Sequence, residues 1–376
     1  SLENKIALVL ILMGVLGQEL RAETSLETLG EMLFFETALS KEGNQSCSTC
    51  HDPSFGFVDP RDNGVNKMAS LGDDGHSLGD RQAMPLAYAA FSPKFHRLEN
   101  GKYKGGQFWD GRAATLADQA GMPPLNPIEM ALPSKDVLLK RMKENADYKN
   151  SFEDIFGKDI WQDTDRFYQS LTKAIEAYEK TEEFMPFDSK YDRYLRGEVQ
   201  LTPQEELGRV LFFSQQFTNC NVCHQLQQLP GMAEETFTNY EYHNIGVPEN
   251  IELRRKNGVV KKDDGLLANT NVNDAQERGK FKVPSLRNIA VTGPYMHNGV
   301  FKDLRTVVKF YNKYNSRSPL AQINPETKEE WGESEVAETI SIEELKVGRA
   351  LDTKRINALV AFMKTLTDAR FEHLIK

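Results

Sequence analysis

Cys47-Ser48-Thr49-Cys50-His51 sets the architecture, and Cys220-Asn221-Val222-Cys223-His224 repeats it far downstream. A Cys-X-X-Cys-His run is the attachment signature of a c-type haem. The two thiols form thioethers with the porphyrin vinyl groups, and the adjacent imidazole reaches the iron. The chain has four cysteines, all in these two runs, so none is left for a structural disulfide. A four-cysteine zinc site is the competing reading, since Cys-X-X-Cys pairs also bind zinc. The His directly behind each pair, and the long separation between the pairs, favour two haems, one bound through His51 and one through His224.

The repeat extends beyond the cysteines. Thr24-Ser25-Leu26-Glu27 is a capping box, followed by Leu29-Gly30-Glu31-Met32-Leu33-Phe34-Phe35. Thr202-Pro203-Gln204-Glu205 repeats the box with Pro at the first helical position, and Leu207-Gly208-Arg209-Val210-Leu211-Phe212-Phe213 follows. Apolar residues at i, i+3 and i+4 predict an amphipathic helix in each copy. Helix, short loop and Cys-X-X-Cys-His open a cytochrome c domain. The expected fold is mainly α: two tandem cytochrome c-like domains, each with one covalent haem c, joined by long loops. Residues 23–197 form the first domain and 198–376 the second, with the boundary at Gly197. Between the motifs, spacing predicts a helix over 165–182. At the end it predicts one over 353–367, with Ile356, Leu359, Val360 and Met363 on the core side.

At 376 residues, two ordinary domains can each bury a core. The net charge of −9 argues against nucleic acid and anionic membrane as partners. Residues 1–22 read as a secretory signal whose apolar run begins at Ile6 and fades by Gly17, short for a bilayer span. An uncleaved anchor is the alternative. Covalent haem c is attached outside the bacterial cytoplasm, so the periplasm is the expected location.

Two histidines are assigned as haem ligands. Of the other five, His76, His96, His243 and His373 read as ordinary hydrogen-bonded or exposed residues, whereas His297 stands out by its surroundings, Thr292-Gly293-Pro294-Tyr295-Met296-His297-Asn298-Gly299. That stretch, with Lys104-Gly105-Gly106-Gln107-Phe108-Trp109-Asp110-Gly111-Arg112, Leu125-Asn126-Pro127-Ile128-Glu129-Met130 and Val283-Pro284-Ser285-Leu286-Arg287-Asn288, resembles the bacterial di-haem cytochrome c peroxidase superfamily. Phe187-Asp188-Ser189-Lys190-Tyr191-Asp192-Arg193, residues 236–246 and Phe310-Tyr311-Asn312-Lys313-Tyr314 are similar to the branch that matures methylamine dehydrogenase. The resemblance runs from about Leu26 to Phe371.

The resemblance implies specific roles. Fourteen residues after His297, di-haem peroxidases carry a Met that closes the second haem; this chain carries Tyr311, with no Met between Met296 and Met363. A phenolate donor stabilises higher iron oxidation states, whereas a thioether stabilises the ferrous one. Without the family pattern, Tyr311 reads as a packing residue. Gln119, Pro123 and Glu129 are implied over the open face of the first haem, Glu129 as acid–base group. Trp109 is implied between the haems; taken alone, it reads as a packing anchor. Calcium is implied at Gln82, Asn273 and Ala275, where relatives use Asn at the position of Gln82. Thr218 stands where relatives of that branch carry a Trp suited to electron relay, and Phe217 is the adjacent aromatic. The implied activity is oxidation of tryptophans in precursor methylamine dehydrogenase to tryptophan tryptophylquinone by hydrogen peroxide, or by O2 plus electrons. The runner-up is a peroxide-reducing peroxidase fed by a cytochrome or cupredoxin.

Overall fold

The structure is a computed structural model and describes residues 26–376. The secretory segment expected over residues 1–22 and the capping box opening at Thr24 lie outside the described residues. The first half contains helices α1 (26–34), α2 (Cys47–Cys50), α3 (Leu116–Ala120), α4 (Lys135–Glu144), α5 (Ala146–Phe156), α6 (Thr164–Glu179) and α7 (Lys190–Leu195). The second contains α8 (Pro203–Phe212), α9 (Cys220–Cys223), α10 (Ile251–Asn257), α11 (Leu304–Asn312), α12 (Ile342–Leu345) and α13 (Thr353–Lys364). Strands are short. β1 (His96–Arg97) pairs antiparallel with β2 (Tyr103–Lys104), and β3 (Tyr242–His243) with β4 (Phe281–Lys282). Among the described residues no helix is long and apolar enough to cross a membrane.

The sequence repeat is a packing repeat. Gly30 of α1 lies against the Ala174 carbonyl of α6, and Gly208 of α8 lies against the Ala358 carbonyl of α13. A Cβ at either glycine would overlap that oxygen, so the helices cross this closely only because the side chain is absent. α8 starts as its capping box predicts: the Thr202 hydroxyl accepts from Glu205 N–H at 3.2 Å, and the Glu205 carboxylate accepts from Thr202 N–H at 2.9 Å.

Each helix pair anchors a core. Leu29, Leu33, Phe152, Phe167 and Leu171 are buried in the first; Phe212, Phe237, Leu359 and Phe362 are buried in the second. The buried face of α13 is broader than its sequence stripe. Ile356, Leu359 and Met363 are buried, Val360 only partly, and Ala358 and Phe362 join them. The chain crosses between the halves at both ends. Tyr191 of α7, before the expected boundary at Gly197, packs with Phe237 and Phe362, while Phe371 near the C terminus packs edge-on to Phe57.

Polar ties lock the halves together. Arg81 makes a bidentate pair with Asp263 at 2.7 and 2.8 Å and reaches Asp110 at 2.9 Å. Arg287 grips Asp192 at 2.8 and 3.0 Å, both nearly fully buried. Two-pronged, charge-assisted bonds fix orientation as well as distance.

Candidate functional site

Two internal cavities follow the two Cys-X-X-Cys-His turns. The first, about 540 Å³, is lined by Cys47, Cys50 and His51; the second, about 210 Å³, by Cys220, Cys223 and His224. The cysteine pairs therefore serve different cavities, which rules out one zinc site shared by all four. Burial also raises every thiol, Cys50 and Cys220 to about 11 and Cys223 to about 12.

The two histidines are held alike. His51 Nδ1 lies 3.1 Å from the Phe57 carbonyl, and His224 Nδ1 lies 3.0 Å from the Phe237 carbonyl. Both phenylalanines have left-handed backbone, φ 59° and 57°, which is uncommon for aromatic residues and turns each carbonyl toward its imidazole. With Nδ1–H donating, Nε2 keeps its lone pair for a metal. Burial lowers both pKa values, that of His224 to about 4, so both rings are neutral as ligation requires. These features fit a haem in each cavity.

The far walls differ. In the first cavity stand Gln119, Pro123 and Glu129, the three residues expected there. Burial raises the Glu129 pKa against the opposing pull of Arg112 and of Asn126, whose amide donates to Glu129 Oε2 at 2.7 Å. The Asn126 bond occupies Oε2 and leaves Oε1 as the oxygen free to carry a proton. In the second cavity Tyr311 projects from α11. Burial pushes its phenol well above the ordinary value, so ionisation there requires a compensating cation.

Between the cavities runs a shared wall that includes Gln82, Trp109, Asp263 and Lys282. The glycine-rich stretch before Trp109 explains how it gets there. Gly105 (φ 83°) and Gly106 (φ 81°) let residues 104–106 pass under Tyr240 and Tyr242, with Gly105 N–H donating to the Tyr240 carbonyl at 2.9 Å. Tyr242 donates its hydroxyl to the Gly105 carbonyl at 2.6 Å, and Trp109 Nε1–H donates to the Gln82 carbonyl at 2.8 Å. Lys282 Nζ donates to the Gly106 carbonyl at 2.7 Å; burial lowers its pKa to about 8.

His297 is buried in the second cavity's wall, stacked on Phe281 at 3.6 Å, with Nε2 unpartnered among the described residues. His243 lines the same cavity and bonds Ser341, whereas His76, His96 and His373 are exposed. Thr218 is buried, its hydroxyl donating to the Leu211 carbonyl at 2.7 Å.

Of the residues expected at calcium, Gln82 is buried, and Asn273 and Ala275 are exposed and line neither cavity. Gln82 Oε1 faces the carbonyls of Lys67 and Met68, an all-oxygen set of the type a hard cation takes. Turned over, the amide nitrogen donates to the same carbonyls at 2.9 and 2.8 Å and satisfies them without a metal.

Sequence reasoning missed Lys282, Arg81 and Glu179. Charged residues in short amphipathic stretches read as solvated, and only burial distinguishes them.

A family model for di-haem cytochrome c peroxidase matches residues 24–200. The chain is 51% identical over 374 residues to the methylamine utilization protein MauG of Paracoccus denitrificans, covering 99% of this chain and 96% of that one. It is 32% identical over 306 residues to cytochrome c peroxidase Ccp of Escherichia coli, covering 81% of this chain and 57% of that one. The crystal structure of the diheme peroxidase BthA from Burkholderia thailandensis superposes with a TM-score of 0.83 at 30% identity, covering 93% of this chain and 88% of that one.

Proposed function

We propose that this chain, which belongs to the di-haem cytochrome c peroxidase family, oxidises tryptophans of precursor methylamine dehydrogenase to tryptophan tryptophylquinone with hydrogen peroxide. The observation that carries the reading is the near-full-length similarity to Paracoccus MauG. Tyr311 in the second cavity supports it, since an oxygen donor there suits storage of oxidising equivalents.

The two haems, when bound, supply peroxide cleavage and hold the two oxidising equivalents it yields. We assign their covalent attachment to Cys47 and Cys50 in one cavity and to Cys220 and Cys223 in the other. His51 and His224 would hold the two irons through Nε2, and Tyr311 would supply an oxygen donor to the second. Glu129 moves a proton at Oε1, in the cavity where peroxide enters, with Gln119 and Pro123 shaping that space. Trp109, held by the Gln82 carbonyl, occupies the shared wall and suits electron passage between the cavities. Peroxide takes two electrons per turnover, and the precursor's tryptophans supply them. A tryptophan within a folded protein does not reach the cavity floor, so this oxidation acts at a distance.

Export to the periplasm is part of this reading, as is a calcium ion beside Gln82. Chelation with EGTA tests the ion. A change in the haem absorbance that calcium reverses supports it, and an unchanged spectrum assigns the Lys67 and Met68 carbonyls to the Gln82 amide.

The deciding experiment mixes the purified holoprotein with precursor methylamine dehydrogenase and peroxide and follows quinone absorbance. Quinone growth that Tyr311→Met abolishes is expected. Peroxide consumption only with a reduced cytochrome or cupredoxin, and no quinone, would establish the peroxidase reading instead.

A further inference from the structure

One carboxyl in the first cavity has no role in the scheme above. Glu179, in the last turn of α6, is 2% exposed and lines that cavity beside Cys47. Its Oε2 has no hydrogen-bond partner among the described residues. An unpartnered carboxylate is costly to bury, so the group holds its proton. Burial first, and then Glu176, push its pKa up to about 8.

The repeat supplies an internal control. Gly30 meets Ala174 as Gly208 meets Ala358, and the next contacts are Tyr178 and Phe362. The residue after Tyr178 is Glu179, and the residue after Phe362 is Met363, which lines the second cavity. One structural position therefore gives an acid to one cavity and a thioether to the other.

We propose that Glu179 exchanges a proton with water as the first haem changes oxidation state, so that the potential of this haem depends on pH through Glu179. On oxidation one electron leaves for the external oxidant and one proton leaves the Glu179 carboxyl, and the carboxylate offsets the charge gained at the iron. Reduction reverses both. The inference rests on haem in the two cavities and is independent of the quinone-forming reading.

The other groups packed around Glu179 itself are paired, committed or exposed. Glu176, on the same helix, accepts from Ala117 N–H at 2.9 Å and pairs with Lys180 at 3.4 Å. Cys47 faces Glu179 from α2 and carries no charge once it is a thioether. The Tyr168 hydroxyl is committed to the Gly121 carbonyl. Glu31 of α1 and Asp118 of α3 are exposed. Glu129 and Arg112 belong to the far wall of the same cavity.

The sign follows from linkage. Positive charge at the iron lowers the carboxyl's pKa, so between its ionisation in the oxidised and reduced protein the potential falls as pH rises. For one proton and one electron the slope approaches about 59 mV per unit. A mediated redox titration of the holoprotein, followed by haem absorbance from roughly pH 6 to 9, reads this directly. One of the two midpoints is expected to fall with pH in the native protein and to stay level in Glu179→Gln and Glu179→Met. A slope that persists in Glu179→Gln, or two level midpoints in the native protein, overturns the proposal. Should Glu179→Met fail to retain haem, the near-isosteric Gln variant decides.

Discussion

The two cavities begin from the same sequence and end as different chemical environments. Each opens on a Cys-X-X-Cys-His turn, directs its imidazole through a left-handed phenylalanine carbonyl and rests on a glycine-notched helix pair. The floors are thus the same and the walls are not. With His51 the first lining holds Glu129, Gln119 and, beside Cys47, the buried acid Glu179; with His224 the second holds Tyr311, Met363 and a largely apolar lining in less than half the volume. Duplication fixed how each metal group is held. Divergence of the linings made one cavity roomier with buried carboxyls and the other smaller, more apolar and lined by a phenol.

The strongest way to break this contrast is to give the second cavity a thioether. Tyr311→Met is expected to eliminate quinone formation while leaving peroxide consumption measurable with a supplied reductant. Removing the proton from the first cavity comes next. Glu129→Gln is expected to slow the peroxide reaction by about 10²- to 10⁴-fold, the usual range for a lost general acid–base group. Stopped-flow absorbance after peroxide addition checks this, and a rate within threefold of native would remove Glu129 from the mechanism.

Smaller effects probe what holds the cavities in register. Arg287→Ala leaves Asp192 buried and unpaired, an expected loss of about 3–5 kcal/mol in denaturant unfolding. Phe362→Ala empties part of the second core and is expected to cost about as much, about 3–5 kcal/mol, with the second haem's spectrum perturbed before the first.

The smallest is a pH effect. Arg81 holds the Asp263 carboxyl down at about 2 despite its burial. A folded-state pKa below the ordinary 3.8 contributes stability that is fully present above that value and lost as pH falls through about 2. Acid unfolding should therefore show a loss of about 2 kcal/mol across that window, absent in Asp263→Asn. An identical acid limb in the variant would assign the loss to other carboxylates.

Much of this was legible in the chain. Covalent chemistry demands Cys-X-X-Cys-His at fixed spacing, and a helix crossing at van der Waals limits demands the glycine at a fixed distance from the cap. Such local constraints survive in sequence as motifs. Glu129, Trp109 and Tyr311 carry no such signal of their own and stand out only by family pattern; each lines a cavity. The same pattern names Gln82, Asn273 and Ala275 for calcium, of which Gln82 is buried and the other two are exposed.

What the sequence determined by itself was the pair of metal-binding turns, the helices that carry them and the tandem order, because these depend on residues close together in the chain. Only the tertiary structure decided which charged side chains lost their water. Glu179, Lys282 and Arg81 look like ordinary solvated residues in the sequence. Their ionisation is set by burial and by partners many residues away, such as Asp263 for Arg81 and the Gly106 carbonyl for Lys282. Desolvation belongs to the assembled fold, and no local pattern records it.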